Sequence, residues 1–397
     1  MYADDTIILA DSETHMQTAL NALQLYCKNW KLEINCSKTK ISIFSRGKIK
    51  TSRFNFLYDE QKIEIVETYK YLGINFNASG SFKTALENLK SQASRAMFSL
   101  ISKSRRLSLP IDIQLQLFDS TVLPIMLYGC EIWGNGNIDV LDKLYLKYLK
   151  MVLWVHGKTC NNMVYGELGR FPLDFYIKKR AIGFWARIIV NKESKISRIM
   201  YNHIRNLYLV NYYKCNWMEF IKKILQDCDL LTIWDSQQFH SIDWLKTVVG
   251  KKLKENYVRK WKSELNQMTS CDVYIHFKLN FTLEDYLIYL PLNLRRTICA
   301  LRTNNTRLPK VVGRFTKTPR EQRFCTLCPN ESLVGDEYHL LLECKNPQIV
   351  IYRNKYIADI YTRHPSMQKC IDLLGINNMA EIRKLSYFLK NCLPLFN

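Results

Sequence analysis

Apolar and polar positions divide this chain into a short mixed amino-terminal stretch and a long helical remainder. Residues 6–10 (TIILA) form a continuous apolar run of the length of a short buried strand. Asp11 or Ser12 then offers a cap for a helix whose apolar positions, Leu20, Leu23, Cys27 and Trp30, recur at threes and fours. Beyond Asn35 the pattern shifts to short extended runs at 40–44, 54–58, 62–66 and 69–76, separated by turn formers such as Asp59-Glu60, and these read as strands.

From Phe82 the spacing turns helical and stays so: Phe82, Leu86, Leu89, Ala93, Ala96 and Leu100 mark one face, ending in the basic Lys103-Ser104-Arg105-Arg106. Pro110 suits the first turn of the next helix, whose apolar face runs through Leu115, Phe118 and Val122 to Pro124. Gly129, Gly134 and Gly136 mark a break, and further helices are expected around 138–154, 173–193, 215–227 and 242–266. The last fifty residues predict one or two more. The expected fold class is α+β and mostly α-helical.

Composition adds a partner. Lys and Arg outnumber Asp and Glu by 57 to 36, a net charge of +21, and the excess is spread along the chain, which points to a polyanion. A hydrophobic content of 47% over 397 residues is enough for two or three folded units and excludes a disordered tail. No apolar run is long enough to span a bilayer, and Met1-Tyr2-Ala3-Asp4-Asp5 is acidic where a signal peptide is basic, so an intracellular, nuclear or cytoplasmic protein without a membrane partner is expected. Of the thirteen cysteines most, such as Cys27, Cys130 and Cys299, sit within apolar helical patterns as reduced core thiols would.

Two adjacent carboxylates, Asp4 and Asp5, stand on a turn just before the 6–10 run. Paired oxygens of this kind suit magnesium in nucleotidyl transfer, although an acidic pair is equally a solvated surface. An ordered series stands downstream: Trp30-Lys31-Leu32, Asn35, Ser37-Lys38-Thr39-Lys40, then Tyr71-Leu72-Gly73, then Leu123-Pro124 through Tyr128-Gly129 to Trp133. With Tyr2-Ala3-Asp4-Asp5 this series resembles the YxDD turn, Asn-x-x-Lys-Thr segment, Tyr-Leu-Gly primer grip and thumb of non-LTR (LINE-type) retrotransposon reverse transcriptases, over residues 1 to about 190. The resemblance implies a partial palm of short antiparallel strands plus a helix at 1–78 and a helical thumb at 79–200. It implies that Asp4 ligates Mg2+ with Asp5 beside it, that Tyr2 lies near the primer terminus, that Lys38 or Lys40 protonates pyrophosphate, and that Tyr71, Leu72 and Gly73 grip the primer. RNA template, DNA primer or target and, for an active enzyme, dNTP are the implied partners. In that family a further essential aspartate comes from a strand before the YxDD turn. Only Met1 and Tyr2 precede the turn here, so the chain is expected to be inactive alone, with Mg2+ bound only in a completed palm.

One cysteine group differs from the rest. Cys325 and Cys328, then His339 and Cys344, form a Cys-x2-Cys-x10-His-x4-Cys array whose soft donors favour structural Zn2+. Gly335-Asp336 can start a helix under His339, and Pro347 is expected to end it soon after Cys344, which would sit on a fraying end. A redox Cys-x-x-Cys normally belongs to a βαβ unit, which is not evident here, and a metal-free core leaves four soft donors within twenty residues unexplained. The array also resembles the carboxy-terminal zinc element of many animal non-LTR retrotransposon proteins.

Directly before it, residues 295–320 carry Arg295, Arg296, Arg302, Arg307, Lys310, Arg314, Lys317 and Arg320 and no acid. The segment reads as more loop than helix, suited to phosphate contacts with Phe315 or Phe324 stacking on a base, RNA or DNA left open. A basic zinc module at 295–350 thus comes after a helical connector at 201–294 and precedes helices at 351–397. Two functions are carried forward: a polymerase fragment, and a non-enzymatic zinc-dependent nucleic-acid-binding remnant of a retroelement.

Overall fold

The computed structural model describes residues 5–45, 52–212, 214–328, 332–358 and 364–396. They form an α+β, mostly helical fold that divides into two compact units, residues 1–91 and 92–397. Among the described residues no helix is long and apolar enough to cross a membrane.

In the first unit α1 (Glu13–Trp30) is capped by Ser12, whose side chain accepts from the His15 amide. It packs Leu20 against Ile41, Phe56, Tyr58 and Ile63, the small core of this unit. Gln17 ties the helix to the strands twice, donating to the Leu57 carbonyl at 2.8 Å and accepting from the Leu57 amide at 2.9 Å. Three two-stranded sheets come next: β1 (Lys40–Ile41) with β4 (Glu64–Ile65), β2 (Leu57–Tyr58) with β3 (Gln61–Lys62), and β5 (Thr68–Tyr71) with β6 (Ile74–Asn77). The last two pairings are antiparallel, but β1 and β4 run parallel, unlike the all-antiparallel expectation.

Two further expectations for this unit are corrected. Residues 6–10 belong to no strand, and Leu9 is 85% exposed. An apolar run becomes a strand only where a neighbour accepts its ladder bonds. Residues 69–76 are not one strand but a tight hairpin, because Leu72 and Gly73 both take positive φ (46° and 84°) and reverse the chain with Tyr71 opposite Ile74.

Helix α2 (Lys83–Arg106) runs on into the second unit, where α3 (Ile111–Thr121), α4 (Asp139–Leu153), α5 (Asn161–Leu168), α6 (Leu173–Val190), α7 (Ile196–Leu209), α8 (Asn216–Asp227) and α9 (Ile242–Gln267) succeed one another, with shorter turns between. Pro110 stands at the N-cap of α3, and Leu115, Phe118 and Val122 are buried beneath it. The residues around 295–320 are more helical than expected: α10 (Leu292–Arg302) and α11 (Pro309–Phe315) take most of them, since Leu294, Ile298, Leu301 and Val311 supply a buried face. The carboxy-terminal stretch holds α12 (Pro347–Tyr356), α13 (Met367–Leu374) and α14 (Met379–Cys392), three helices rather than one or two. Pro347 opens α12 instead of closing its predecessor. Its ring fits a first turn, and Asn346 caps that turn by accepting from the Gln348 and Ile349 amides.

Candidate metal centre and nucleic-acid interface

Tyr2 and Asp4 lie outside the described residues, so of the YxDD turn only Asp5, which is exposed, can be placed. Asn35 organises the segment after α1: its carbonyl accepts from the Lys38 and Thr39 amides at 3.1 and 3.0 Å, and its side chain accepts from the Lys38 amide at 3.1 Å. Lys38 is exposed on this turn and has no ion pair among the described residues, whereas Lys40 is paired with Glu64 at 2.7 Å. Tyr71, Leu72 and Gly73 come together at the tip of the β5–β6 hairpin. Asp5 belongs to no group of three or more potential metal ligands among the described residues.

The carboxy-terminal cluster does converge. One ligand atom each from Cys325, Cys328, His339 and Cys344 lies within 4.8 Å of the others, and all four residues are buried. An antiparallel bridge between Phe324 and Val334, with the Cys325 amide donating to the Leu333 carbonyl at 2.9 Å, holds the first pair. Asp336 starts the helical turn by accepting from the His339 amide at 2.9 Å. That turn is of π type over His339–Glu343.

These residues fit a zinc ion. Both ring nitrogens of His339 are sealed from solvent without a hydrogen-bond partner, an arrangement that costs roughly 1–3 kcal/mol for each orphaned atom. Cys328 and Cys344 Sγ lie 3.5 Å apart, and tetrahedral zinc with about 2.3 Å bonds would space its sulfurs similarly. The Cys325 thiol is pulled below its ordinary range, chiefly by its hydrogen bond with Cys344, a direction that favours the thiolate form metals bind. Zn2+ bound here would knit the 323–335 turn to the helical turn behind it.

The basic residues of 295–320 do not act as one surface. Arg302 is only 5% exposed: its Nη2 meets Glu167 at 3.0 Å and Glu284 at 2.8 Å, and Glu167 is wholly buried. Lys310 is buried between Asp272 (3.1 Å) and Glu337 (2.7 Å), and Arg320 meets the other oxygen of Asp272 at 2.6 Å. Arg302 and Lys310 are therefore structural cations that cannot reach a phosphate, a correction to their reading as nucleic-acid contacts. The acids missing from the local sequence arrive from elsewhere in the fold. Arg295 is half-buried and donates to the Leu287 carbonyl at 3.2 Å, while Lys317 is exposed.

The remaining three, Arg296, Arg307 and Arg314, face residues that sequence reading passed over. Trp154, at the left-handed end of α4, carries the Arg296 guanidinium 3.4 Å from its ring centroid and that of Arg105 at 4.4 Å. Just beyond, His156 and Lys158 join Arg307, Arg314 and Lys390 in the wall of a cavity of about 710 Å³. The signal available in the sequence was an aromatic-basic run, Trp154-Val155-His156-Gly157-Lys158, at a predicted helix end.

The reverse transcriptase (RNA-dependent DNA polymerase) family profile matches residues 1–76. A transposon-derived protein of Caenorhabditis elegans is 23% identical over 269 residues, spanning 62% of this chain and 93% of the nematode protein. The RNA-directed DNA polymerase from mobile element jockey of Drosophila melanogaster is 27% identical over 168 residues, which is 39% of this chain and 18% of that enzyme. No solved structure matches. With a reverse transcriptase match over its first 76 residues and transposon relatives over longer stretches, this chain is similar to retrotransposon reverse transcriptases, and it spans about a fifth of the length of the jockey polymerase.

Proposed function

We propose that this chain supplies the nucleic-acid-holding part of a retrotransposon RNA-directed DNA polymerase: a YxDD turn, a primer-contacting hairpin, a helical thumb and a zinc-organised basic tail. The observation that carries this reading is the match of the polymerase family over residues 1–76. Asp4 and Asp5 would present oxygens to Mg2+, which would neutralise charge on an incoming dNTP. Lys38 is the better candidate for the acid that protonates departing pyrophosphate, because Lys40 is already engaged by Glu64. The Leu72-Gly73 tip is narrow enough to approach a primer backbone closely. RNA template and DNA primer are the partners, and zinc at Cys325, Cys328, His339 and Cys344 is structural.

On this reading a two-metal site needs a further carboxylate beside Asp4 and Asp5, and the chain by itself is expected not to polymerise. Magnesium-dependent extension of a primed RNA template by the purified chain tests this. No product above background is expected, while the same template remains bound; templated extension would overturn it. The alignment over 93% of the nematode transposon-derived protein favours a second reading, a nucleic-acid-binding retroelement remnant without catalysis, which shares the binding but no activity in any assembly.

A further inference from the structure

In the second unit, the cavity bounded by the loop after α4 is lined by neutral residues and by charged residues that are all basic. No Asp or Glu contributes to it, and none of Lys158, Arg307, Arg314 and Lys390 has an ion pair among the described residues. Next to it Arg105 and Arg296 share the Trp154 ring, also without a carboxylate among the described residues. Two like charges gathered on one indole repel each other, so the arrangement favours an anion beside them. An inert surface would mix signs.

We propose that Arg105, Trp154 and Arg296, together with the adjoining cavity beneath Lys158 and Phe315, bind one unpaired nucleotide of a single strand: its phosphate at the two guanidiniums and its base at Phe315. This rests on the reading of the chain as a nucleic-acid-holding polymerase part. Phe315 is 60% exposed at the cavity with Lys158 Nζ over its ring, 5.3 Å from the centroid, an exposed aromatic side chain of the kind on which bases stack. Trp154, by contrast, serves to hold the guanidiniums.

The loop is built to be rigid. Asn305 Oδ1 accepts from the His156 amide at 2.9 Å, and Lys150 Nζ, buried under the loop, donates to the Gly157 carbonyl at 2.6 Å. Asn304 in turn donates to the Ser270 carbonyl at 2.7 Å, anchoring the opposite wall. Arg314 brings an Nη2 that is sealed from solvent and has no acceptor. A pre-formed cationic cavity with one exposed ring suits a base and its phosphate better than an acidic peptide, which would use the charges and leave the ring idle.

Fluorescence anisotropy of labelled oligouridylate and labelled oligothymidylate with the full chain, titrated over a range of salt, tests the proposal. The variants are Arg105→Gln with Arg296→Gln, Arg296→Lys, and Phe315→Ala, each checked for folding by circular dichroism. The double variant should lower the salt slope by about 0.7, the loss of one phosphate contact to a single strand. Phe315→Ala should weaken binding roughly tenfold with the slope unchanged, as for one lost stacked base. Arg296→Lys keeps the charge and should keep the slope. Losses with RNA, DNA or both each support the site and name its strand. Wild-type binding that all variants reproduce overturns this site alone, and no wild-type binding to either strand overturns the parent reading as well. Displacement by oligoglutamate as readily as by unlabelled oligonucleotide would reassign the cavity to acidic peptides and overturn the proposal.

Discussion

The amide of Cys344 donates to the carbonyl of His339 across 2.7 Å, closing a five-residue π turn. In an ordinary α-helix two side chains five apart point about 140° away from each other. The wider turn brings the imidazole and the thiol to one side, where Cys325 and Cys328 wait. The His-x4-Cys spacing and the unusual backbone are thus one feature, and the convergence of four soft donors that results suits a zinc ion.

Purified chain is accordingly expected to carry one equivalent of zinc per polypeptide, measured by inductively coupled plasma mass spectrometry. His339→Ala or Cys344→Ala should weaken zinc affinity by more than about 100-fold, since either leaves an incomplete tetrahedral set. Full zinc retention in both variants would show that the cluster is a metal-free core.

Arg302 gives a test of structure against surface. Arg302→Met leaves Glu167 buried and unpaired and is expected to cost about 3–5 kcal/mol in urea unfolding. The salt slope of oligonucleotide binding should not change in the fraction that remains folded. A lower slope with unaltered stability would return Arg302 to the phosphate-contacting set.

Asp272 provides a pH dependence. Burial works to raise its carboxyl, but Lys310 and Arg320 outweigh that and hold it below its ordinary 3.8. A depressed folded-state value means the stabilisation is complete above the unfolded value and fades as pH falls through the folded one. The stability gap between the wild type and Asp272→Asn should therefore stay constant from neutrality down to about pH 4 and shrink only below it. A gap that closes on the alkaline side of pH 6 would contradict this assignment.

Much of this was legible in the chain itself. Ser12 was available as a cap, the α3 face through Leu115, Phe118 and Val122 followed its periodicity, and the four soft zinc donors announced themselves by spacing. The lack of a strand at 6–10 was not, because apolar character alone says nothing about whether a neighbour exists to complete the ladder. The charge of 295–320 misled for a related reason. Local sequence shows eight cations without an acid, yet Glu167, Glu284, Asp272 and Glu337 reach Arg302, Lys310 and Arg320 from as far as 135 residues away. The π turn was hidden too, since its period matches neither helix template.

The hairpin tip carries its own test. Gly73 sits at φ 84°, and Gly73→Val should destabilise the first unit by about 1–2 kcal/mol through left-handed strain. Leu72→Gly, relieving the same strain at φ 46°, should not destabilise it to that extent, as read from denaturation midpoints. Equal losses from both would mean that the Leu72 side chain, rather than backbone conformation, sets the hairpin.

The central claim is that this polypeptide holds the nucleic acid of a copying enzyme, and equilibrium binding of a primed RNA template to the zinc-loaded chain across a salt series tests it most directly. Affinity that falls linearly with salt on logarithmic axes, with a slope equivalent to several phosphate contacts, is predicted. Failure to bind the primed template even at low salt would contradict the account.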